Sequence, residues 1–383
     1  MPNEVKKILY VGEYDYIVGG IERYMFKSAE LLRTSFGCIV DLLPLQVDKL
    51  NFSGDPDFLA AFNRVLSLEQ LKMISEEYDL IVIHKVRRGG VVDLLRKHGR
   101  RVALFVHDHE TYCPRRSYYY PGSCRNCSRG YSYWICTWCG SAKRQMNLFY
   151  NMFSFPNCYR KLKNVDLFIV ISDYMQQCLL RNNIPRGRIV KIQPYIPLPE
   201  LFPAESAGQI DLPHILSLGQ LIKGKGVDQL IAAVKQVPQP CVVDILGRGG
   251  AEELLHRQAE GDERIRFHQW STRPEEFLRR AYCVALPWRW QEPFGLVGPE
   301  ALAHSLPLVG FDVGGVREYL IDGENGILVP EGDIEAFAGA LSRLLSDRDL
   351  ARRLGVNGRR LVADKYSLAA AAAGWQNIFN WGI

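Results

Sequence analysis

Nine short, largely apolar runs, each separated from the next by an amphipathic stretch, constrain this chain more than any other feature. In the first half they are Ile8–Val11, Cys38–Leu43, Leu80–Ile83, Val102–Val106 and Leu167–Ile171; in the second, Ile215–Leu218, Val242–Leu246, Cys283–Leu286 and Leu308–Phe311. A strand that is apolar along its whole length, not only at alternate positions, has both faces covered, which marks a parallel sheet with helices on each side. The patterns in between, such as Ile21–Leu32, Gly226–Val234 and Ala251–Gln258, have helical spacing. The alternation breaks at Pro194–Pro199, and polar and small residues follow to Gln209, which reads as a linker. A chain of 383 residues suits two ordinary domains. The expected architecture is α/β, with two facing doubly wound, Rossmann-like domains. Residues 1–195 form the first, 196–210 the linker, 211–365 the second, and 366–383 a closing helix that returns to the first. Ligands of such sheets bind beyond the carboxyl ends of the strands, so two facing domains place a site in the cleft between them.

Composition narrows the functional classes. With 47% hydrophobic and 23% charged residues the chain is neither disordered nor fibrous. No stretch reaches the ~20 apolar residues that span a bilayer. Met1–Lys7 runs straight into the first apolar run without an apolar leader or small-residue cleavage site, so the expected location is the cytoplasm. A net charge of +5 suits an anionic substrate or an anionic membrane surface and is too weak to indicate nucleic acid.

The chemistry-bearing loops lie where apolar runs end. After Cys283–Leu286 comes Gln291-Glu292-Pro293-Phe294-Gly295-Leu296-Val297-Gly298-Pro299-Glu300, leading into a helix at about Pro299. A glycine-bearing loop feeding a helix start presents unpaired N–H groups and a positive dipole to an anion. Glu292 in the loop can accept from sugar hydroxyls, and Glu300 in the first helical turn can reach a ribose diol. Taken singly, each also reads as a helix cap or a solvated charge. After Ile215–Leu218 comes Gly219-Gln220-Leu221-Ile222-Lys223-Gly224-Lys225-Gly226, a glycine-rich loop carrying lysines. In the first half, Gly19-Gly20 either permits a close backbone approach by a ligand or turns the chain. His107 and Asp108 close the run Val102–Val106.

Taken in order along nearly the whole chain, these motifs resemble the family-4 retaining glycosyltransferases of GT-B fold. The resemblance rests on Glu292 and Glu300 with Pro-Phe-Gly-Leu between them, together with Gly314-Gly315-Val316-Arg317-Glu318, Asp322-Gly323-Glu324-Asn325-Gly326, Gly19–Arg23, His107-Asp108 and Ser172. It implies transfer of a sugar from a nucleoside-diphosphate sugar to a hydroxyl acceptor, either a sugar or a lipid-linked molecule, with retained anomeric configuration. The implied setting is assembly of cell-surface polysaccharide or another glycoconjugate, by a protein peripheral on the inner face of the cell membrane. By the same resemblance Glu292 contacts the transferred sugar, Glu300 the ribose and Lys225 the diphosphate, while His107 contacts the transferred sugar or positions the acceptor; a histidine closing a strand also reads as structural. Gly19, Gly20, Phe294, Gly295 and Leu296 complete the donor site, and no catalytic metal is involved. Gln220 stands where the family usually has arginine, and it brings a hydrogen bond but no charge; Lys223 or Arg289 is available to compensate. Ser305 replaces a frequent glycine, which reads as a packing change. Two rival readings are a nucleotide-sugar epimerase of the same fold and a non-catalytic homologue that binds donor without turnover.

A separate feature is a cysteine cluster in an insertion at 113–158. Cys124-Arg125-Asn126-Cys127 and Cys136-Thr137-Trp138-Cys139 are two Cys-x-x-Cys pairs that can offer four thiolates to a structural zinc, or serve as redox-active or free thiols. Cys113 is a further candidate. The insertion is rich in aromatic residues, whose faces suit sugar rings, a lipid interface or a small core around the metal. Upstream, Lys85, Arg87, Arg88, Arg96, Lys97, Arg100 and Arg101 form a basic stretch that reads either as a membrane-facing surface or as a solvated helix face.

Overall fold

The computed structural model describes residues 6–46, 55–73, 78–85, 89–99, 101–120, 123, 125–141, 150–200, 212–271 and 273–381. The chain forms two compact units: residues 1–116, 129–195 and 368–383 in the first, and 117–128 with 196–367 in the second. In chain order the strands are β1 (Lys7–Gly12), β2 (Ile39–Pro44), β3 (Arg64–Val65), β4 (Leu80–Ile83), β5 (Val102–Phe105), β6 (Tyr119–Tyr120), β7 (Arg125–Asn126), β8 (Leu167–Val170) and β9 (Ile189–Lys191). They continue with β10 (His214–Leu218), β11 (Val242–Leu246), β12 (Ile265–His268), β13 (Cys283–Leu286), β14 (Leu308–Phe311) and β15 (Gly326–Val329).

The first unit's sheet has the order β3-β2-β1-β4-β5-β8-β9, and the second's β12-β11-β10-β13-β14-β15. Every pairing given within these two sheets is parallel. The doubly wound α/β class is thus present in each unit. Strands such as β4, β5, β8 and β13 are buried at every position, which is why their sequences are apolar throughout. Two carboxylates interrupt these runs, and each is held by internal hydrogen bonds, although Asp41 Oδ1 has no partner. Asp41 on β2 accepts from Arg64 at 2.7 Å and from the Tyr78 hydroxyl at 2.8 Å. Asp244 on β11 bonds His214 and His268, each at 2.5 Å. Burial opposes ionisation of Asp244, but the two imidazole hydrogen bonds outweigh it and hold the carboxyl below its ordinary value.

The helix Leu368–Asn380 belongs to the first unit, where Trp375 is buried and its ring lies 6.4 Å from that of Tyr10 on β1. The Cys-rich insertion does not stay with one unit, as its sequence position suggested. Its β6–β7 hairpin is part of the second, because Asn126 donates to the Arg289 carbonyl at 2.7 Å and to Glu331 at 2.6 Å. The latter part of the expected linker, 201–210, lies outside the described residues, as do Cys124, Arg87, Arg88 and Arg100.

Candidate active site

In each unit the strand order reverses about one crevice, where a doubly wound sheet leaves room beyond its carboxyl edge. In the second unit that point falls between β10 and β13. The loop after β10 carries Lys225, and the loop after β13 carries Glu292. The Lys225 ammonium sits 2.6 Å from Glu292 Oε2, with the two side chains only 16% and 11% exposed. Trp290 Nε1–H donates to the same oxygen at 2.5 Å. The rings of Trp288 and Trp290 flank the ammonium, with centroids 4.5 and 4.9 Å away, so the cation has an aromatic wall as well as a carboxylate.

Glycines make this approach possible. Gly226 has φ +67°, and a Cβ there would strike the Pro287 carbonyl. Glycine therefore fixes the turn that delivers Lys225 against the β13 loop before the helix Val227–Val234 begins. Glu292 rests on the Gly314-Gly315 turn. Gly315 N–H donates to the Glu292 carbonyl at 2.7 Å, and Gly314 N–H to Gln291 Oε1 at 2.9 Å. A Cβ at Gly314 would collide with the Glu292 backbone, and one at Gly315 with the Pro293 carbonyl. Phe294 is buried against Tyr319 and Tyr366, which anchors the loop from below. Gly295, at φ +84°, lies where any side chain would meet the Trp288 ring. Leu296 is the residue before the helix Val297–Ala303, and Glu300 stands in that helix's first turn.

Other residues of the motifs have structural duties. Gln220 is exposed on the loop after β10. Arg289 pairs with Asp228 and donates to the Lys223 carbonyl at 3.3 Å, so its guanidinium is engaged away from Gln220. Ser305 is more than a packing change. Its φ of +59° lies in the left-handed region just past the helix, where glycine is preferred. Asn325 is buried and bonds the Tyr319 carbonyl and the Ile321 N–H, which accounts for the Asp322–Gly326 motif as a turn. Ser172 caps the helix Asp173–Arg181 by accepting from Met175 N–H at 3.1 Å.

In the first unit the reversal lies between β1 and β4. Beyond the ends of β4 and β5, beside the helix Phe155–Lys163, a cavity of about 40 Å³ is lined by His84, Lys85, His107, Asp108 and Glu110 among others. His107 Nε2 is 2.8 Å from His84 Nδ1, and its ring stacks 4.2 Å from that of Phe105. Burial, aided by the charge of Lys85, pushes the His107 imidazole down to about 3, so it is neutral at ordinary pH. A neutral imidazole offers one donor and one acceptor and no proton-transfer role near pH 7. Asp108 accepts from Glu110 N–H at 2.8 Å, and burial followed by the Glu110 charge raises its carboxyl to about 6. Lys85 is held by Glu13 at 3.2 Å and Glu110 at 3.4 Å. Gly19 precedes the helix Gly20–Phe36, and its N–H donates to Glu22 at 3.0 Å. A Cβ at Gly19 would meet nothing nearer than the Glu22 carboxylate at 4.0 Å. Packing alone therefore does not demand glycine at that position.

Sequence reasoning missed Trp288 and Trp290, and it missed His84 as the partner of His107. Both sets directly follow a buried parallel strand, the position from which a side chain enters the crevice. Cys139 Sγ accepts from Arg115 Nε at 3.1 Å, and Cys136 Sγ from Ser132 N–H at 3.4 Å. Among the described residues no group of three or more His, Cys, Asp or Glu is placed to share a metal ion.

Residues 203–361 match the family described as glycosyl transferases group 1. The lipopolysaccharide core biosynthesis glycosyltransferase LpsE of Rhizobium meliloti is 32% identical over 163 residues, covering 42% of this chain and 47% of that protein. The D-inositol 3-phosphate glycosyltransferase of Xylanimonas cellulosilytica is 32% identical over 179 residues, covering 44% of this chain and 42% of that protein. The alignments thus span about half the length of these relatives. Among solved structures, a sucrose-phosphate synthase from Thermosynechococcus elongatus is similar with TM-score 0.72 at 21% identity, over 98% of both chains. Anabaena HepE in complex with UDP-glucose is similar with TM-score 0.72 at 17% identity, over 98% of this chain and 99% of that one. These likenesses establish the GT-B type of fold.

Proposed function

From the match of residues 203–361 to the glycosyl transferases group 1, we propose that this chain transfers a sugar from a nucleoside-diphosphate sugar to a hydroxyl acceptor, with retention at the anomeric carbon. The observation that carries the reading is the meeting of Lys225 and Glu292 at the point where the second sheet reverses. Both bonds to Glu292 fall on Oε2, so Oε1 is the oxygen that receives a sugar hydroxyl. The Lys225 ammonium is the cation held in place there to meet a diphosphate. When the bond from the anomeric carbon to the β-phosphate oxygen breaks, negative charge grows on that phosphate, and a preplaced cation lowers the barrier. The acceptor oxygen forms the new bond on the face the phosphate leaves, and its proton passes to a phosphate oxygen. No carboxylate base is required for this path.

Glu300, in the first turn of Val297–Ala303, binds the ribose diol of the donor, and Gly295 and Leu296 lie beside the phosphates. Neutral His107 gives the transferred sugar or the acceptor one hydrogen bond, and Gly19-Gly20 leaves room for the close approach of a ligand. The setting proposed is the synthesis of a polysaccharide or glycoconjugate, supported by relatives whose names place them in lipopolysaccharide core and inositol phosphate glycosylation. One structural zinc on Cys124, Cys127, Cys136 and Cys139 is also proposed, on the support of their paired spacing.

The test is release of nucleoside diphosphate from a panel of donor sugars, with and without candidate acceptors. Acceptor-dependent release from at least one donor supports transfer. Interconversion of one donor sugar into another, with no release, would replace it with an epimerase.

A further inference from the structure

A nucleoside diphosphate carries several negative charges, and the crevice of the second unit must meet them. The ion pair of Lys225 with Glu292 sums to zero, so the ammonium placed there is already balanced by a carboxylate. Most other cations on the loops leaving the carboxyl edge of this sheet are also spent. Arg289 after β13 pairs with Asp228, Arg317 after β14 with Asp312, and Arg273 after β12 with Glu276. Lys223 after β10 and Arg248 after β11 remain. Both are exposed and, among the described residues, neither is in an ion pair.

The backbone puts Arg248 beside the uncharged Gln220. Strands β10 and β11 pair in parallel up to Leu218 and Leu246, and the pairing runs on past their ends. Gly219 N–H donates to the Leu246 carbonyl at 3.0 Å and Leu221 N–H to the Arg248 carbonyl at 2.9 Å, so two bonds to this stretch bracket Gln220. The loops can touch because glycine flanks the arginine. A Cβ at Gly247 would lie 1.9 Å from the Gly219 carbonyl oxygen, and one at Gly249 2.4 Å from that of Leu221. On the other side, Gly247 N–H donates to the His268 carbonyl at 3.1 Å. In Gly247-Arg248-Gly249-Gly250 the arginine is therefore the only side chain, carried on a backbone held from both neighbouring strands. Its exposure means that packing does not call for it.

Lys223 is worse placed. It belongs to the three-residue turn Lys223–Lys225, in which side chains two positions apart project about a third of a turn away from each other. Lys225 faces Glu292, so Lys223 faces elsewhere. A guanidinium also has what an ammonium lacks, paired N–H groups matched to two phosphate oxygens. We propose that Arg248 binds the diphosphate of the donor, bringing from the loop after β11 the charge that Gln220 does not bring from the loop after β10. This role rests on the donor reading given above, and it is tested by binding alone, without any transfer.

The experiment is calorimetric titration of the full chain with UDP, GDP, ADP and dTDP, and displacement of the diphosphate that binds by its own nucleoside. Arg248→Gln should weaken that diphosphate on the order of tenfold or more and leave the nucleoside unchanged. Arg248→Lys should recover part of the loss, because it keeps the charge and gives up the fork. Gln220→Arg added to Arg248→Gln should recover most of it, because a cation returns to the neighbouring position. Lys223→Gln should bind nearly as the wild type does. Equal melting temperatures without ligand will show that the variants are folded, as expected for exposed positions. Wild-type diphosphate affinity in Arg248→Gln, an equal loss of nucleoside affinity, or a loss that falls on Lys223→Gln instead would overturn the role of Arg248 and leave donor binding standing. A wild type that binds none of the four diphosphates would remove the donor reading and this role together.

Discussion

Replacing Lys225 with methionine tests the ion pair at the second unit's crevice. The change removes the ammonium but keeps a flexible apolar stem against Trp288 and Trp290. Glu292 Oε2 is then left with the Trp290 N–H alone. Breaking a fully buried pair costs about 3–5 kcal/mol because the surviving charge has lost its partner. Exposures of 16% and 11% admit some water and reduce that figure. Loss of the cation–π contacts adds about 0.5–1 kcal/mol. The expected destabilisation is therefore about 2 kcal/mol, which for a unit of this size lowers the melting temperature by roughly 4–8 °C. Thermal denaturation at pH 7 of Lys225→Met, Glu292→Gln and the double variant closes the cycle. Because either single change destroys the same contact, the double variant should lose little more than one of them, with a coupling of about 2 kcal/mol. Additivity within about 0.5 kcal/mol would refute the pairing. In transfer assays Lys225→Met should lower kcat more than it raises KM, because the phosphate charge it meets grows as the bond breaks.

Three further outcomes follow from particular residues. Ser305→Gly relieves the left-handed φ of +59° and should raise stability by about 1 kcal/mol, read as a higher melting temperature; a loss would mean that the serine side chain earns its place. His107 has its imidazole pushed from an unfolded value of about 6.5 to about 3, so its contribution is present above pH 6.5 and lost as pH falls toward 3, with a slope of up to about 1.4 kcal/mol per pH unit. His107→Asn should flatten that decline in denaturant melts between pH 7 and 5; Asp108, raised to about 6, contributes the opposite sign in both proteins and drops out of the comparison. Elemental analysis should find one zinc per chain, absent from Cys127→Ser, and a metal-free wild type would end the zinc proposal.

The nine apolar runs located nine strands of the two sheets because strands buried on both faces have nowhere to put polar residues. Strands lacking that signal were harder to see. β3 is two exposed residues, and β12 alternates toward solvent as Ile265-Arg266-Phe267-His268. The helix after β13 begins at Val297, not at about Pro299, since Leu296 already has helical φ and ψ. Within the site, Lys225 and Glu292 lie 67 residues apart, and the motifs named both without stating that they touch. Nothing in the local sequence shows that Gly314 and Gly315 form the bed under Glu292, because that requirement comes from a strand-end loop more than twenty residues away. The hairpin β6–β7 was assigned by sequence position to the first unit, whereas Asn126 ties it to Arg289 and Glu331 in the second. Long-range hydrogen bonds of this kind leave no periodic trace.

The most direct test is acceptor-dependent release of nucleoside diphosphate by the wild type and by Glu292→Gln, at matched folded concentrations and saturating donor. Glutamine keeps the size of the side chain and removes the charge that holds Lys225 and receives the sugar hydroxyl. The account predicts clear release by the wild type and a fall on the order of a hundredfold in kcat for the variant, with nucleoside diphosphate still bound. Equal rates from the two proteins would contradict the placement of the chemistry at the crevice between β10 and β13.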